Sequence, residues 1–199
     1  MTTDYGARLL RTPAKYRYCP YDGNSLRDRS DAEGVRRPTC DRCGFIDYGN
    51  PRPCVAVLAE REGKVLLVRR GIEPRRGAWD VPGGFVHPGE TAEKAAAREL
   101  QEETGLRAAT DSMIYRMSIP DVYELPTIGG NEVRKIVTLN LCYSAIPQDW
   151  ATLKSGSDAI EAALFSPEDI PVELAFGHQN MLLAAWRRNW TPGVENGNV

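Results

Sequence analysis

Three glutamates, Glu99, Glu102 and Glu103, stand at i, i+3 and i+4 within Thr91 to Thr104, a stretch rich in Ala, Glu, Lys and Arg. These residue types favour helix, and that spacing puts the three carboxylates on one helical face. Like charges so placed cost about 0.2–0.5 kcal/mol per pair when exposed, and more when buried. Arg98 can reach Glu102 at i+4, but one guanidinium does not balance three carboxylates. Lys94 with Arg98 and Glu99 with Glu103 are like-charged, so ordinary surface salt-bridge patterning explains the stretch poorly. A cluster of hard oxygen ligands is what Mg²⁺ or Mn²⁺ requires. An ion there would neutralise phosphate charge and lower the pKa of a bound water.

Other elements must hold that helix in place. Thr91 is a suitable N-cap and Gly105 a suitable stop. Val81-Pro82-Gly83-Gly84 puts two glycines before it, read as a turn where the backbone takes positive φ or approaches something closely. Val55–Glu60 and Lys64–Arg69 flank Arg61-Glu62-Gly63 and predict a hairpin. Gly77–Pro82, Ser112–Ile119, Arg134–Ser144 and Ala159–Phe165 predict further strands. Pro120–Asn131, with Pro126, Gly129 and Gly130, reads as a long loop and candidate lid. Ser166–Ile170 predicts a short helical turn and Gln179–Asn189 an amphipathic helix. A mixed sheet follows, with the glutamate helix on one face and the last helix on the other.

Written out, Gly84-x5-Glu90-x7-Arg98-Glu99-Leu100-x-Glu102-Glu103-x-Gly105-Leu106 fills every defined position of a known pattern. It resembles the Nudix box, and the wider similarity covers about residues 51–190. The resemblance implies an α/β/α sandwich that hydrolyses a nucleoside diphosphate linked to another group, using divalent ions. It implies Glu99 and Glu103 as the main metal ligands and Glu102 as a third, joined by a backbone carbonyl at Gly83 or Gly84. Glu90 then acts through a water or orients Arg98, which positions carboxylates. The catalytic set expected is Glu99, Glu102, Arg98 and Glu161, with Glu124 and Glu132 as further candidates for the general base. The resemblance also suggests a homodimer.

Substrate is read from shorter signals. The Ser-Gln-Pro-Trp-Pro-Phe-Pro-type motif of ribbon-bearing NADH pyrophosphatases does not occur between Leu106 and Ala145. Glu161-Ala162-Ala163-Leu164-Phe165, Asp169-Ile170-Pro171 and Leu174-Ala175-Phe176 are similar to plant ribbon-bearing Nudix enzymes that act on FAD and ADP-ribose. The expectation is ADP-ribose or FAD, with AMP released. Nucleoside triphosphates and NADH are the alternative substrates, and a nucleotide-binding regulator is the alternative from another class. Tyr115, Tyr123 and Phe176 are candidates to stack on a base, Trp79 reads as core, and His87 as an exposed loop residue.

Cys19-Pro20-Tyr21-Asp22-Gly23 and Cys40-Asp41-Arg42-Cys43-Gly44 form a second constellation. Each has the form C-x-x-ligand-G, with a glycine placed for the tight turn of a metal knuckle. The 16 residues between them suit a short hairpin. The segment is similar to the rubredoxin-type zinc ribbon, except that Asp22 stands where a Cys is usual. Cys19, Asp22, Cys40 and Cys43 are the expected ligands of a structural Zn²⁺, with Cys54 the alternative fourth. Cys142, in an apolar run, reads as a core thiol. The division expected is residues 1–49 for the ribbon and 50–199 for the catalytic domain.

Composition sets the remaining bounds. A net charge of −2 gives no general attraction to nucleic acid, so the expected partner is a small nucleotide. No apolar run approaches the ~18 residues of a membrane span, and Met1 to Pro13 lacks the apolar core of a secretory signal. A C-x-x-C among five cysteines points to a metal and a reducing compartment, the cytoplasm.

Overall fold

The computed structural model of the protein describes residues 16–126, 133–156 and 158–188. The chain divides into two compact units between Pro51 and Arg52.

The first unit is built around β1 (Arg27–Ser30) and β2 (Arg36–Thr39), an antiparallel pair in register from Arg27↔Thr39 to Ser30↔Arg36. Two knuckles accompany it. The Gly23 N–H donates to the Cys19 carbonyl and the Gly44 N–H to the Cys40 carbonyl, each at 3.0 Å. Gly23 and Gly44 have φ of 72° and 77°, which L side chains avoid. Tyr16 and Tyr21 both pack edge-on against Phe45.

The second unit is a seven-stranded mixed sheet. Its strands are β3 (Arg52–Arg61), β4 (Lys64–Arg70), β5 (Trp79–Asp80), β6 (Gly83–Phe85), β7 (Ile114–Pro126), β8 (Val133–Ala145) and β9 (Ala159–Phe165). The main order is β5-β4-β3-β8-β7, with β6 on β3 and β9 on β4. β3 and β8 run parallel, and the other pairs are antiparallel. The unbroken apolar run of β3 reflects burial on both faces. Val55, Val57 and Ala59 pack with Ala95, Ala96 and Leu100 of helix α1 (Ala92–Thr104). The intervening Ala56 and Leu58 pack with Leu182, Leu183 and Trp186 of helix α2 (Gly177–Arg187). The period of two along a strand thus feeds two helix layers, an α/β/α sandwich. Truncating Leu100, which is 0% exposed, to Ala costs about 2–5 kcal/mol by the usual cavity rule.

Helix α1 has the ends its sequence predicts. The Thr91 hydroxyl accepts from the Lys94 N–H, and Gly105 closes the helix at φ 70°.

Several expectations change. Gly83-Gly84 is not a turn but the start of β6, paired with Ala56 and Val55 of β3. Close approach is the reason for the glycines: a Cβ on Gly83 would lie 2.2 Å from the Val55 carbonyl oxygen. The strand expected over Gly77–Pro82 shrinks to β5. The loop expected over Pro120–Asn131 is strand as far as Pro126, pairing Pro120 with Leu139. The strand tolerates proline because β7 is the last strand of the sheet path, where a missing N–H breaks no ladder. The rest of that stretch, with Glu132, lies outside the described residues. Ser166–Ile170 is a turn rather than a helix. Helix α2 begins at Gly177, two residues early, because a distant carboxylate caps it: Asp121 Oδ2 accepts the His178 N–H at 2.9 Å. Among the described residues, no helix is long and apolar enough to cross a membrane.

Candidate active site

Arg98 organises the outer side of α1. Its Nε and Nη2 grip both oxygens of Glu90 at 2.9 Å, and Nη1 reaches Glu99 at 2.7 Å and Glu102 at 3.2 Å. Nη2 also donates to the Phe85 carbonyl at 3.1 Å, tying α1 to β6. Glu90 accepts the His87 N–H as well. Arg98, through these bonds, holds the Glu90 carboxyl down at about 2. Arg98 is engaged within the protein by three carboxylates and one carbonyl.

Glu99, while bonded to Arg98, lines a cavity of about 280 Å³ together with Glu103 and residues of β3 and β6. Glu103 accepts the Gly83 N–H at 3.1 Å. A Cβ on Gly84 would lie 2.4 Å from Glu99 Oε1, so only glycine leaves room for that carboxylate beside the strand. Burial pushes the Glu103 carboxyl up to about 8, and the Asp80 carboxylate adds to the rise. Burial raises Glu99 too, although Arg98 opposes it. One buried and one partly buried carboxylate side by side, sharing only part of one guanidinium, make a site that could take a cation. Hard oxygens beside a glycine cradle fit Mg²⁺ or Mn²⁺.

Other residues that line the cavity pair among themselves. Arg70 Nη1 pairs with Asp80 at 2.8 Å, and the Gln179 side-chain amide donates to the same carboxylate. Asp121 Oδ2 binds both the backbone N–H and the ring Nδ1 of His178, each at 2.9 Å. Tyr123 and Phe176 face each other with ring centroids 5.0 Å apart, and the Arg70 guanidinium lies 4.9 Å over Phe176. Cys54 also lines the cavity, its thiol pushed up to about 12 by burial and then by the Glu99 charge.

The expected site residues therefore separate. Glu99, Glu103 and Gly84 line the cavity together with Tyr123 and Phe176. The Glu102 side chain is 49% exposed and bonds to Arg98. Glu161 forms an exposed pair with Arg69 at 3.4 Å, and Glu124 another with Lys135 at 3.3 Å; neither lines the cavity. Tyr115 packs on Tyr143 instead. Trp79 packs on Phe165, His87 reaches the cavity rim, and Cys142 is buried in the core. Arg70, Asp80, Asp121 and His178 were not singled out from sequence. No local spacing marks them, because each pair forms only when β4, β5, β7 and α2 assemble.

In the first unit, Cys19, Asp22, Cys40 and Cys43 each offer a ligand atom within 4.8 Å of the others. The Cys19 and Cys43 sulfurs are 3.5 Å apart, and the Cys40 sulfur lies 3.5 Å from Asp22 Oδ2. The Asn24 N–H holds the Asp22 carboxyl at about 2, so it stands ready as an anion. Cys54 is outside this cluster.

A NUDIX domain profile matches residues 50–185. The chain is 34% identical over 145 residues to the ADP-ribose pyrophosphatase of Methanocaldococcus jannaschii, covering 68% of this chain and 73% of that protein. It is 32% identical over 102 residues to the NAD-capped RNA hydrolase NudC of Salmonella heidelberg, covering 51% of this chain and 38% of that one. A NUDIX hydrolase structure from Nitrosomonas europaea matches with a TM-score of 0.62 at 29% identity, over 87% of this chain and 94% of that one. The chain belongs to the Nudix family and is a Nudix hydrolase, an enzyme of the pyrophosphatase type whose relatives work with divalent metals.

Proposed function

We propose that the protein hydrolyses the diphosphate bond of ADP-ribose or FAD and releases AMP. The observation that carries this reading is one cavity lined both by two box carboxylates, Glu99 and Glu103, and by an aromatic pair, Tyr123 and Phe176. The likeness to an ADP-ribose pyrophosphatase supports the substrate class. A bound Mg²⁺ or Mn²⁺ supplies neutralisation of diphosphate charge and a lowered pKa for its bound water. Glu99 and Glu103 would hold the ion, with the backbone at Gly84 beside them. Arg98 fixes the orientation of Glu99 and binds the exposed Glu102 on the same helix. Tyr123 and Phe176 give a planar base a surface to stack on.

In the first unit we propose a structural Zn²⁺ held by Cys19, Asp22, Cys40 and Cys43. A unit of this size buries too little core to be stable alone, and metal binding there is folding energy. Elemental analysis of freshly purified protein should find one zinc per chain; none would remove this part of the reading. The free cysteines fit a reducing, cytoplasmic setting.

The test of function is product analysis with ADP-ribose, FAD, NADH, NAD-capped RNA and nucleoside triphosphates, each with Mg²⁺, Mn²⁺ or EDTA. Metal-dependent AMP from ADP-ribose or FAD is the expected result. Pyrophosphate from triphosphates, or turnover confined to NADH or capped RNA, would replace this substrate.

A further inference from the structure

The nucleotide reading leaves one buried pair unused. His178 lines the cavity from the first turn of α2, and its side chain is 9% exposed. Its partner Asp121 lies on β7, 57 residues away. The carboxylate already accepts two backbone N–H groups, from His178 at 2.9 Å and from Val122 at 2.7 Å. An anion stabilised by backbone donors accepts and does not donate. Nδ1 of His178 therefore carries the proton in the 2.9 Å contact, and this fixes the tautomer. In the neutral ring Nε2 then keeps its lone pair, and it meets no hydrogen-bond donor among the described residues. The ring is parallel to Phe176, with an interplanar angle of 13° and centroids 6.1 Å apart, so stacking and the Asp121 bond both hold its plane.

We propose that His178 is a specificity-determining residue whose Nε2 accepts a hydrogen bond from the substrate and selects a nucleoside with an N–H or O–H donor at that end of the cavity. Two parts of an adenine nucleotide offer such a donor: the exocyclic amine of the base and the ribose hydroxyls. A carbonyl placed against Nε2 would leave two acceptors facing each other without a proton, which a buried site tolerates poorly. Asp121 acts through His178 as a positioning residue. The proposal rests on the nucleotide reading of the cavity, and its test separates the two.

The chain has two histidines, so ¹⁵N-histidine labelling gives a readable imidazole spectrum. Before ligand is added, the His178 signals should show a protonated Nδ1 and a bare Nε2. AMP should then move the Nε2 resonance upfield, as it does when a bare ring nitrogen accepts a hydrogen bond. Purine riboside monophosphate lacks the amine and any other base-edge N–H, and 2′,3′-dideoxy-AMP lacks the hydroxyls. A shift with AMP and dideoxy-AMP alone assigns the donor to the base; a shift with AMP and purine riboside monophosphate alone assigns it to the ribose. A proton on Nε2, or an unmoved Nε2 while backbone amides report AMP binding, would overturn the proposal. No response from any signal to AMP or ADP-ribose would sink the nucleotide reading itself, and this proposal with it.

Kinetics give a second arm. His178→Asn keeps an amide near the Nδ1 position and removes the distal acceptor. It should raise KM for the preferred nucleotide about tenfold with kcat nearly unchanged, the scale of one lost hydrogen bond. His178→Gln, whose amide oxygen reaches the Nε2 position, should recover part of that loss. A fall in kcat with KM unchanged, in a variant that melts like wild type, would mark a proton-transfer role and contradict recognition.

Discussion

Glu103 is buried on α1 with Glu99 partly buried beside it, and the guanidinium that reaches Glu99, Arg98, is shared with Glu90 and Glu102. Elsewhere in the same cavity lining, Arg70 closes on Asp80 and His178 on Asp121, at 2.8 and 2.9 Å. The first set is left open: burial keeps a proton on Glu103 up to about pH 8, and a cation would take the place of that proton. The second set closes on itself, Asp80 on a guanidinium and Asp121 on backbone N–H groups and an imidazole, and it offers aromatic rings and a lone pair. An unbalanced site draws cations and supports charge-dependent chemistry, whereas a closed one suits recognition, where unpaired charge would cost binding energy.

The comparison breaks most severely if a closed pair is opened. Arg70 and Asp80 side chains are 12% and 9% exposed, so Arg70→Ala should cost about 3–5 kcal/mol by leaving a buried carboxylate uncompensated. Urea denaturation measures this, and adding Asp80→Leu to Arg70→Met should restore much of the loss. A change below about 0.5 kcal/mol would show that the pair is not buried as described.

Glu103→Gln tests the open set. It removes a ligand oxygen and little volume, so turnover should fall about a hundredfold or more, beyond what an outer partner of a ligand costs. Metal-free stability below about pH 8 should hold, because Glu103 already carries a proton there. Full activity in this variant would move the metal elsewhere.

The same carboxylate sets a pH signature. Glu103 keeps its proton up to about pH 8 in the folded chain, against an ordinary value of 4.5. Between those values the folded state binds more protons than the unfolded one, so stability of the metal-free protein should fall as pH rises through that window. Saturating Mg²⁺ should flatten the slope, since the ion takes the place of the proton. Calorimetric melts from pH 5 to 8.5, with and without Mg²⁺, read both curves; parallel curves would contradict the assignment.

The smallest effect concerns an exposed pair. Glu161 and Arg69 side chains are about half exposed, so Glu161→Gln should change stability by no more than ~1 kcal/mol and kcat by less than about twofold. A large loss in kcat would return Glu161 to the list of bases.

The open set was legible in sequence because its parts are local. The glutamates lie on one helix and Thr91 and Gly105 cap it, so spacing, caps and charge can be read along the chain. The β3 and β4 runs were legible for the same reason, since burial on both faces leaves an uninterrupted apolar signature. The closed set was not, because its pairs join residues far apart in the chain, such as Gln179 with Asp80. Pro120 hid the second half of β7 by looking like a strand breaker, although the last strand of a path tolerates it. Asp121 was then hidden in an apparent loop, along with the cap it gives α2. Phe176, at the N-cap position, makes no side-chain cap bond of its own, so nothing nearby announced where that helix starts.

Glu99 and Glu103 together are expected to take a divalent ion, which displaces the proton held on Glu103. Titrating Mn²⁺ into wild type and Glu103→Gln, with bound ion followed by electron paramagnetic resonance, tests it most directly. Wild type should show a tight site that Mg²⁺ displaces and that the variant has lost or weakened at least tenfold. Equal Mn²⁺ binding by both proteins would contradict the account.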